Sequence, residues 1–581
     1  MILKSLDVFI MKFNYIFVAV FLFIVSSCSS ENEVSQETPK TSKVEQLIEH
    51  SKEFEKKLYS YDTPGGKIHI AVGFGIANSI MVEGIDGNII IDSADSTFEA
   101  SEIYSLFKLK NNNHIKAVIY THNHGDHTFG TSFYLTTQEQ RPKIIAHEST
   151  DFYMQRILGI IEPIITKRST RMFGTTLPEG ELINVGIGPS LNVSKSPIGY
   201  VKPDVTFDKE LKINIAGINL ELYHAPGETN DQLFVWLPDH LSLMPGDNIY
   251  KTFPNLYTIR GTTHRDVAGW VNSLDHMRSF NPQFLFPSHT NPLSGIAVME
   301  TLTIYRDAIQ FVHDQTVRLM NKGLTPDEII EKIELPTSLA KSPFLSEFYG
   351  TIRWSVKSIF NGYLGWFSGN PTDLDPLTTL ESAKRLSDLL GGEDKIFLAL
   401  ENAVLNKDMQ WALELSDQLI ALEFSLREVY EFKREALLYI GERSSNPNKR
   451  NYFLTSAIEL DRDFKGFPPT ITTEGVVNEI SMETMFARLS VNLNPENIYK
   501  DNFNACFVFP SGDNKTISVR NDVAAVSNRT LDNCDITIET TEILLKKVLT
   551  GLRSPIAAIA SGEIQVEGGS TNFLQFLASF R

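Results

Sequence analysis

The stretch VIYTHNHGDHTFG, residues 118–130, begins with an apolar run and ends in a cluster of metal-binding side chains. The run is typical of a buried strand, and three histidines and an aspartate lie within six positions after it. Imidazole nitrogens and carboxylate oxygens are ligands that zinc accepts, whereas calcium and magnesium prefer oxygen alone. We therefore expect two divalent ions side by side, with His122 and His124 on one and Asp126 and His127 on the other. A polar turn that merely caps a helix would not need four such side chains.

Three further metal-binding side chains follow apolar runs later in the chain. Glu228 comes after a Pro-Gly turn, Asp247 follows LSLMPG, and His289 follows QFLFPS. A catalytic site with two ions needs more ligands than one loop supplies, so we expect these strand ends to meet the histidine loop. They would complete two sets of three ligands, with Asp247 as the bridge.

The chain has 581 residues, which exceeds what one hydrophobic core usually serves, so about two to four domains are expected. Its composition, with 42% hydrophobic and 21% charged residues, is that of a globular protein. The formal net charge of −18 argues against nucleic acid as a partner, because phosphate backbones attract basic surfaces.

Four regions differ in their sequence pattern. Residues 29–45 are polar without periodicity and predict a linker. In residues 46–297 short apolar runs alternate with helical patterns, which predicts an α/β sheet domain with a hairpin at Asp86-Gly87. Residues 298–460 have helical periodicity throughout, and residues 461–581 return to strands and short helices, which predicts an α+β domain.

The N-terminus resembles an export signal. Two lysines precede a short apolar run at 15–25, which ends in small residues before Cys28. Residues 1–28 are therefore predicted to be a bacterial lipoprotein signal with Cys28 as the lipidated residue, which places the protein on a membrane as an exported lipoprotein. A signal-anchor helix is the alternative, and either Met1 or Met11 is the start.

Cys506 and Cys534 are the other two cysteines. They could pair in an oxidising compartment, but neither has the CxxC spacing of a metal site. The sequence favours two unpaired, buried apolar residues.

Several segments outside the histidine loop resemble one family. The turn Pro226-Gly227-Glu228 has glutamate where most metallo-β-lactamase superfamily members have histidine, and this feature resembles the alkylsulfatase branch. RMFGTTLPEGELINVGIG (171–188), NLYTIRGTTHRD (255–266) and FYGTIRWSVKSIFNGYLGWFSGNPTDLDPL (348–377) are similar to segments of that branch. The resemblance covers roughly residues 65–581.

The resemblance implies an αββα metallo-β-lactamase sandwich as catalytic domain, then a helical dimerisation domain and a sterol-carrier-like C-terminal domain. It implies hydrolysis of alkyl sulfate esters, such as dodecyl sulfate, to an alcohol and inorganic sulfate. Two Zn²⁺ ions would activate hydroxide as the nucleophile, and an aromatic-rich face with Tyr363 and Trp366 would form a homodimer contact.

Roles for further residues also follow from the resemblance. Arg260 would bind the sulfate through its guanidinium, with Asn255 and Tyr257 as further sulfate-binding side chains. His264, four residues beyond Arg260, would act as general acid. Asp126 and His264 are thus the predicted catalytic side chains.

Two features depart from the branch. The bridging position is Asp247, where the branch more often has glutamate, and DSADSTFEA (92–100) replaces an Asp-Pro-Leu segment. These departures leave the substrate range open. One alternative keeps the site but changes the substrate to a phosphate ester, a lactone or a β-lactam. Another is an amphiphile-binding lipoprotein with a vestigial metal site.

The remaining histidines are given structural roles rather than metal-binding ones. Two are expected at strand ends, two at the surface, and two elsewhere without function. They are His147 and His224, His240 and His276, and His114 and His313.

Overall fold

A computed structural model describes residues 40–191, 198–467 and 474–580. The predicted signal peptide, the lipidation site Cys28 and residues 29–39 of the predicted linker lie outside these ranges. Among the described residues, no helix is both long and apolar enough to span a bilayer. The linker prediction extends too far, because helix α1 (Lys40–Ser51) already begins within it. Leu47 of this helix is buried, and His50 Nε2 lies 2.8 Å from the carbonyl oxygen of Gly186.

The first sheet has seven strands in sequence order. Its first four strands are antiparallel, and the remaining neighbours are parallel. The predicted hairpin is confirmed by the pairing of Glu83 with Asn88. The first strand was not foreseen, because its KLYSYDT sequence is largely polar and half-exposed. The strands are β1 (Lys57–Thr63), β2 (Gly66–Val72), β3 (Ser79–Glu83), β4 (Asn88–Ile91), β5 (Ile115–Ile119), β6 (Lys143–His147) and β7 (Val205–Phe207).

The second sheet has six strands in the order β13-β12-β11-β10-β9-β8, and its β11–β12 pair is the parallel one. Ile68 and Ile89 of the first sheet and Leu220 and Val235 of the second belong to one buried cluster between the layers. The strands are β8 (Glu210–Ile215), β9 (Ile218–His224), β10 (Leu233–Leu237), β11 (Ser242–Met244), β12 (Phe284–Leu285) and β13 (Leu293–Ser294).

Helices cover the outer faces of both sheets, which confirms the αββα sandwich. Phe107 of α2 packs with Ile90 and Val118 of the first sheet, and Trp270 of α7 packs with Phe234 of the second. The helices are α2 (Thr97–Lys110), α3 (Gly125–Thr128), α4 (Thr131–Thr137), α5 (Thr150–Leu158), α6 (Glu162–Phe173) and α7 (Val267–Ser279).

His240 is not a surface residue, contrary to the expectation from sequence. It is 3% exposed, and its Nδ1 lies 2.7 Å from Thr63 Oγ1 at the end of β1. The unforeseen strand β1 and its turn cover the ring, which also lies against Gly65. His276 is exposed, as expected.

Within residues 296–459, all of which the structure describes, nine helices follow the sandwich, and the helical periodicity predicted for this region is confirmed. The later ones enclose their own apolar core, which includes Leu400, Leu415 and Leu419. The helices are α8 (Ile296–Met320), α9 (Pro326–Ile330), α10 (Thr337–Ala340), α11 (Ile352–Leu364), α12 (Thr379–Leu390), α13 (Glu393–Leu405), α14 (Met409–Ala421), α15 (Leu426–Glu442) and α16 (Pro447–Glu459).

The C-terminal region is an α+β domain with a five-stranded sheet in the order β16-β15-β14-β17-β18. Phe507 and Ile538 of this sheet pack with Leu545 and Phe576 of its helices. The elements are α17 (Glu474–Glu479), α18 (Met482–Val491), β14 (Phe503–Val508), β15 (Lys515–Arg520), β16 (Val523–Ser527), β17 (Ile536–Glu539), α19 (Glu542–Leu549), α20 (Pro555–Ala560), β18 (Gln565–Glu567) and α21 (Ser570–Ala578).

Cys506 and Cys534 form a disulfide, so the prediction of two unpaired cysteines is wrong. The parallel pairing of β14 with β17 sets Cys506 opposite Thr537, three residues beyond Cys534. The two Cα atoms are 6.0 Å apart, which lies within the range of disulfides. Tertiary pairing of strands brought the two side chains together.

Removal of this disulfide by Cys534→Ser is expected to destabilise the C-terminal domain by about 3–4 kcal/mol, because the bond closes a long loop. Chemical denaturation of the purified protein, with and without reductant, measures the effect. The unsubstituted protein should lose the same amount when reduced, and the variant should not respond to reductant. Equal stability of both proteins under oxidising conditions would contradict the prediction.

Candidate active site

The seven predicted ligands meet at one end of the sandwich. His122 and His124 follow β5, Asp126 and His127 belong to α3, and the other three lie in loops after strands of the second sheet. His122 Nε2 lies 2.8 Å from His124 Nδ1, and His127 Nε2 lies 3.4 Å from Asp126 Oδ2. All but the half-buried His124 and Asp126 are fully buried. The three loop ligands are Glu228, Asp247 and His289.

Asp247 is at the centre of this cluster. Its carboxylate lies 3.5 Å from Nε2 of His122, 3.5 Å from Nε2 of His127 and 3.1 Å from Nε2 of His289. Gly246 precedes it with φ +59°, and a Cβ at that position would collide with the amide nitrogen of Gln232. Glycine therefore permits the tight turn that carries Asp247 to the cluster.

Three groups of ligand atoms lie close enough to share an ion. Sequence spacing paired His122 with His124 and Asp126 with His127, and tertiary structure adds the more distant partners. Asp247 belongs to two of the groups. The groups are His124, Glu228 and Asp247; His122, His127 and Asp247; and Asp126, His127 and His289.

The cluster has the chemistry that metal ions require. His127 Nε2 and Asp247 Oδ1 are buried and have no hydrogen-bond partner among the described residues. Buried polar atoms are normally paired, and leaving one unpaired costs about 1–3 kcal/mol. The unpaired atoms lie among nitrogen and oxygen donors of the kinds that first-row divalent metal ions accept. The residues therefore fit metal ions at this position.

Electrostatics divides the cluster into two sides. Burial lowers the pKa of His122 to about 3 and that of His124 well below its usual range, so both are neutral, as ligands must be. Burial would also lower the pKa of His289, but neighbouring carboxylates outweigh it and raise that pKa to about 9. Burial would raise the pKa of Asp126, but the His127 imidazole outweighs it and lowers that pKa to about 2. The carboxylates near His289 thus stabilise positive charge, whereas His122 and His124 are neutral.

Asp92 is a supporting residue that sequence reasoning missed. Its Oδ2 lies 2.8 Å from His127 Nδ1 and accepts hydrogen bonds from Thr121 Oγ1 and Ser288 Oγ, both at 2.9 Å. A carboxylate on the second nitrogen of a metal-binding histidine fixes the ring orientation. The available signal was its position directly after strand β4, at the same sheet edge as the histidine loop.

Glu228 is held by two side chains that sequence reasoning also missed. Arg265 Nη1 donates to Glu228 Oε1 at 2.9 Å, and Tyr250 donates from its hydroxyl to Oε2 at 3.1 Å. Arg265 is 1% exposed, and Nη1 also donates to the carbonyl oxygen of Asn255. No local sequence signal links Arg265 to Glu228, because the two residues are 37 positions apart.

A cavity of about 450 Å³ opens onto the ligand cluster. Ile157 of α5, Ile161 of the following loop and Ile165 of α6 form part of its apolar wall, and Asp126 and Asp247 also line it. Such a shape suits a ligand with an apolar body and a polar group at one end.

Asp95 lies in the segment that departs from the alkylsulfatase pattern, and it lines this cavity. Both carboxylate oxygens accept a hydrogen bond from the Ile76 backbone N–H, at 3.1 and 3.0 Å. Burial and the neighbouring Asp126 raise the pKa of Asp95 well above its usual range. The departure thus places a carboxyl group in the cavity wall.

The four predicted substrate-contacting residues differ in position. Arg260 lines the cavity, and its Nη2 lies 3.0 Å from His124 Nε2. Asn255 is buried, and its side-chain amide has no hydrogen-bond partner in the described structure. Tyr257 is half-buried and is not part of the cavity wall. His264 is exposed with its ring against Gly362 of α11, so the structure does not bring it to the cavity.

Comparisons with known proteins agree with this geometry. Residues 72–289 match the metallo-β-lactamase superfamily, residues 325–463 match alkyl sulfatase dimerisation, and residues 470–581 match the alkyl sulfatase C-terminal domain. A linear primary-alkylsulfatase of a Pseudomonas species is 33% identical over 86% of this chain and 98% of its own length. The chain belongs to the alkylsulfatase family.

More distant alkylsulfatases give the same result. An alkyl/aryl-sulfatase of Saccharomyces cerevisiae is 26% identical over 87% of this chain and 80% of its own length. The solved structure of a stereoselective inverting sec-alkylsulfatase from a Pseudomonas species has a TM-score of 0.81, with 23% identity, covering 90% of this chain and 84% of that one. This structural likeness confirms the fold.

Membership of the alkylsulfatase family makes the chain a sulfuric ester hydrolase that depends on metal ions. A role restricted to binding amphiphiles is therefore wrong. The relatives named above are sulfatases, which supports sulfate esters as the substrate class rather than phosphate esters, lactones or β-lactams. The matched dimerisation domain indicates a homodimer.

Proposed function

We propose that this alkylsulfatase uses two Zn²⁺ ions to hydrolyse sulfate esters of dodecyl-sulfate-like amphiphiles to an alcohol and inorganic sulfate. The observation that carries this proposal is the largely apolar cavity that is also lined by Arg260 and by His124, Asp126 and Asp247 of the ligand cluster. An alkyl chain would lie along the isoleucines of α5 and α6, and its sulfate would meet the polar end. Burial of the chain contributes about 0.8 kcal/mol per CH₂ group.

The protein's own side chains would hold the ions and orient the ester. When bound, the two ions would supply a nucleophile by lowering the pKa of water far below its bulk value, to about 7. Asp92 fixes the ring of His127, and Arg265 with Tyr250 fixes the carboxylate of Glu228. One ion would be held by His122, His124, Glu228 and Asp247, and the other by Asp126, His127, His289 and Asp247.

The sulfate group needs fixed positive charge and hydrogen-bond donors. Arg260 supplies a planar guanidinium beside His124, which matches two sulfate oxygens at once. The buried, unpartnered amide of Asn255 is a further donor in this neighbourhood. Tyr257 and His264 lie outside the cavity wall, and the proposal gives them no role in catalysis.

The test is a metal count on the purified protein without residues 1–28, followed by sulfate release from a panel of primary and secondary alkyl sulfates. We expect two zinc ions per chain, loss of activity on chelation and recovery with zinc. A different metal or a single ion would overturn the dizinc part. Metal-loaded protein that releases no sulfate from any alkyl ester would overturn the substrate.

Replacement of Arg260 by methionine is expected to lower kcat/KM for alkyl sulfates by about 100-fold, because one preorganised charged donor is lost. Arg260→Lys should lie between, since lysine keeps the charge but not the planar fork. Steady-state sulfate release measures both. Arg141→Met, which removes a surface arginine paired with Asp204, is the matched control. Equal kcat/KM in all three variants would contradict a role in sulfate binding.

We propose a homodimer formed through the helical domain. Tyr363, Leu364 and Trp366 are large apolar side chains that are 54%, 59% and 73% exposed, and they follow one another at the end of α11. Exposed apolar patches of this kind mark protein interfaces. Sedimentation should give a dimer for the unsubstituted protein and a monomer for Trp366→Ser combined with Leu364→Ser. A monomer before substitution would overturn the proposal.

We infer that the protein is exported and anchored by a lipid on Cys28. The disulfide between Cys506 and Cys534 supports this inference, because such bonds persist in oxidising compartments. Labelling with a radioactive fatty acid in a bacterial host tests the anchor. The unsubstituted chain should incorporate label and fractionate with membranes, whereas Cys28→Ser should do neither. Unlabelled, unsubstituted chain in the soluble fraction would overturn it.

A further inference from the structure

Residues 150–173, which contain α5, α6 and the loop between them, carry large apolar side chains that are exposed to solvent. Phe152 of α5, Ile160 of the loop and Ile164 of α6 are 67%, 41% and 51% exposed. Other side chains of this segment, among them Ile157 and Ile165, line the apolar cavity. The three exposed side chains, here called the outer patch, therefore lie on the segment that also forms part of the cavity wall.

The charge around the outer patch differs from that of the chain. Residues 150–173, which contain α5, α6 and their connection, have four basic and two acidic residues, a net charge of +2, whereas the whole chain has −18. Arg156, one turn from Phe152, and Lys167, one turn from Ile164, are exposed and have no acidic partner within 4.0 Å in the described part of the chain, and Arg156 also lines the cavity. An apolar patch with unpaired cations suits a surface that is both apolar and anionic.

We propose that the outer patch docks onto aggregates of anionic amphiphile, so that the cavity receives substrate directly from a micelle surface. This inference rests on the proposed function, because long-chain alkyl sulfates form such aggregates. Two contacts with the C-terminal region hold α5 and α6 in place. Gln155 of α5 donates to the carbonyl oxygen of Glu479 at 2.8 Å, and Glu162 of α6 lies 3.8 Å from Arg488.

The three side chains act through partial insertion, in the manner of an amphipathic helix at an interface. Phe152, Ile160 and Ile164 enter the apolar layer of the micelle, while Arg156 and Lys167 meet its anionic groups. Substrate then enters the cavity without first crossing water as a monomer. None of the three apolar side chains is part of the cavity wall, so monomeric substrate has no need of them.

The direct test is binding of the metal-loaded protein without residues 1–28 to neutral-detergent micelles that contain a minor fraction of an alkanesulfonate, which is not an ester and is not hydrolysed. Affinity should rise with the sulfonate fraction. The triple variant Phe152→Ser, Ile160→Ser, Ile164→Ser should bind at least about 10-fold more weakly. A matched triple variant at Ile85, Val523 and Ile556, which are 87%, 57% and 65% exposed and lie outside the cavity wall, should bind normally.

Activity gives an independent readout. With a short-chain alkyl sulfate below its aggregation concentration, the outer-patch variant should keep its kcat/KM. With a long-chain ester, the gain in rate above the aggregation concentration should be lost in this variant alone. Absence of any sulfate release would overturn the proposed function, while the binding result with alkanesulfonate would still decide the docking surface.

Three outcomes would overturn the docking proposal. One is unchanged micelle binding by the outer-patch variant. Another is a change of oligomeric state on sedimentation, which would make the patch an interface between copies of this chain. A third is equal binding to neutral and anionic micelles, which would leave Arg156 and Lys167 without a role. Unchanged thermal unfolding of the variant checks that it is folded.

Discussion

Asp247→Asn is expected to reduce the metal content from two ions per chain to one or none. Loss of a residue that only orients a metal ligand lowers activity by about 10- to 100-fold. Activity of Asp247→Asn should fall by more than this, because Asp247 would itself bind the ions. The reason is geometric: one carboxylate lies within 3.5 Å of the Nε2 atoms of His122, His127 and His289. Asparagine keeps the shape but removes the charge that offsets two cations. Metal analysis and sulfate release measure the two effects.

The matched control for this variant is Asp239→Asn. Asp239 is exposed, belongs to the same part of the fold and accepts a hydrogen bond from Asn219 at 2.8 Å. It should keep two ions and full activity. If Asp247→Asn also kept two ions and full activity, Asp247 would not be a shared ligand. Thermal unfolding of both variants in the presence of chelator separates ligand loss from misfolding.

Arg265→Met is expected to destabilise the metal-free protein by about 3–5 kcal/mol, because it leaves the Glu228 carboxylate buried without its counter-charge. Both side chains are 1% exposed, and they meet at 2.9 Å. The loss should be smaller with metal bound, since a cation then offsets the same charge. Chemical denaturation followed by a probe in the sandwich measures the free energy of unfolding in both states.

Two further variants decide whether the buried pair is the cause. Arg278→Met removes a partly exposed pair with Asp275 and should cost less than about 1 kcal/mol. Combining Arg265→Met with Glu228→Gln should recover part of the lost stability, because the buried charge is then absent as well. A loss from Arg265→Met no larger than that from Arg278→Met would contradict the prediction.

The supporting residues of the site are the part that sequence reasoning missed. Asp92 and His127 are 35 residues apart, and Arg265 and Glu228 are 37 apart. No local periodicity links residues at such distances. Within the histidine loop, by contrast, the ligands are neighbours in the chain, so their chemistry is visible in one short stretch.

The environments of two histidines differ from those expected from the sequence. His240 was expected at the surface and is buried, because the polar strand β1 forms through its pairing with β2. His264 was expected at the reacting group and instead packs against Gly362. In both cases a distant part of the chain forms the environment of the side chain.

The sequence by itself determined the family, the αββα sandwich with its two following domains, and the metal-binding chemistry of the histidine loop. The family and the sandwich follow from the resemblance of segments such as residues 255–266 and 348–377, and the metal-binding chemistry follows from side-chain identity. Only tertiary structure decided the pairing of Arg265 with Glu228, the disulfide between Cys506 and Cys534, and the position of His264. Those features are distances between elements far apart in the chain, and packing of the two sheets and their helices sets them.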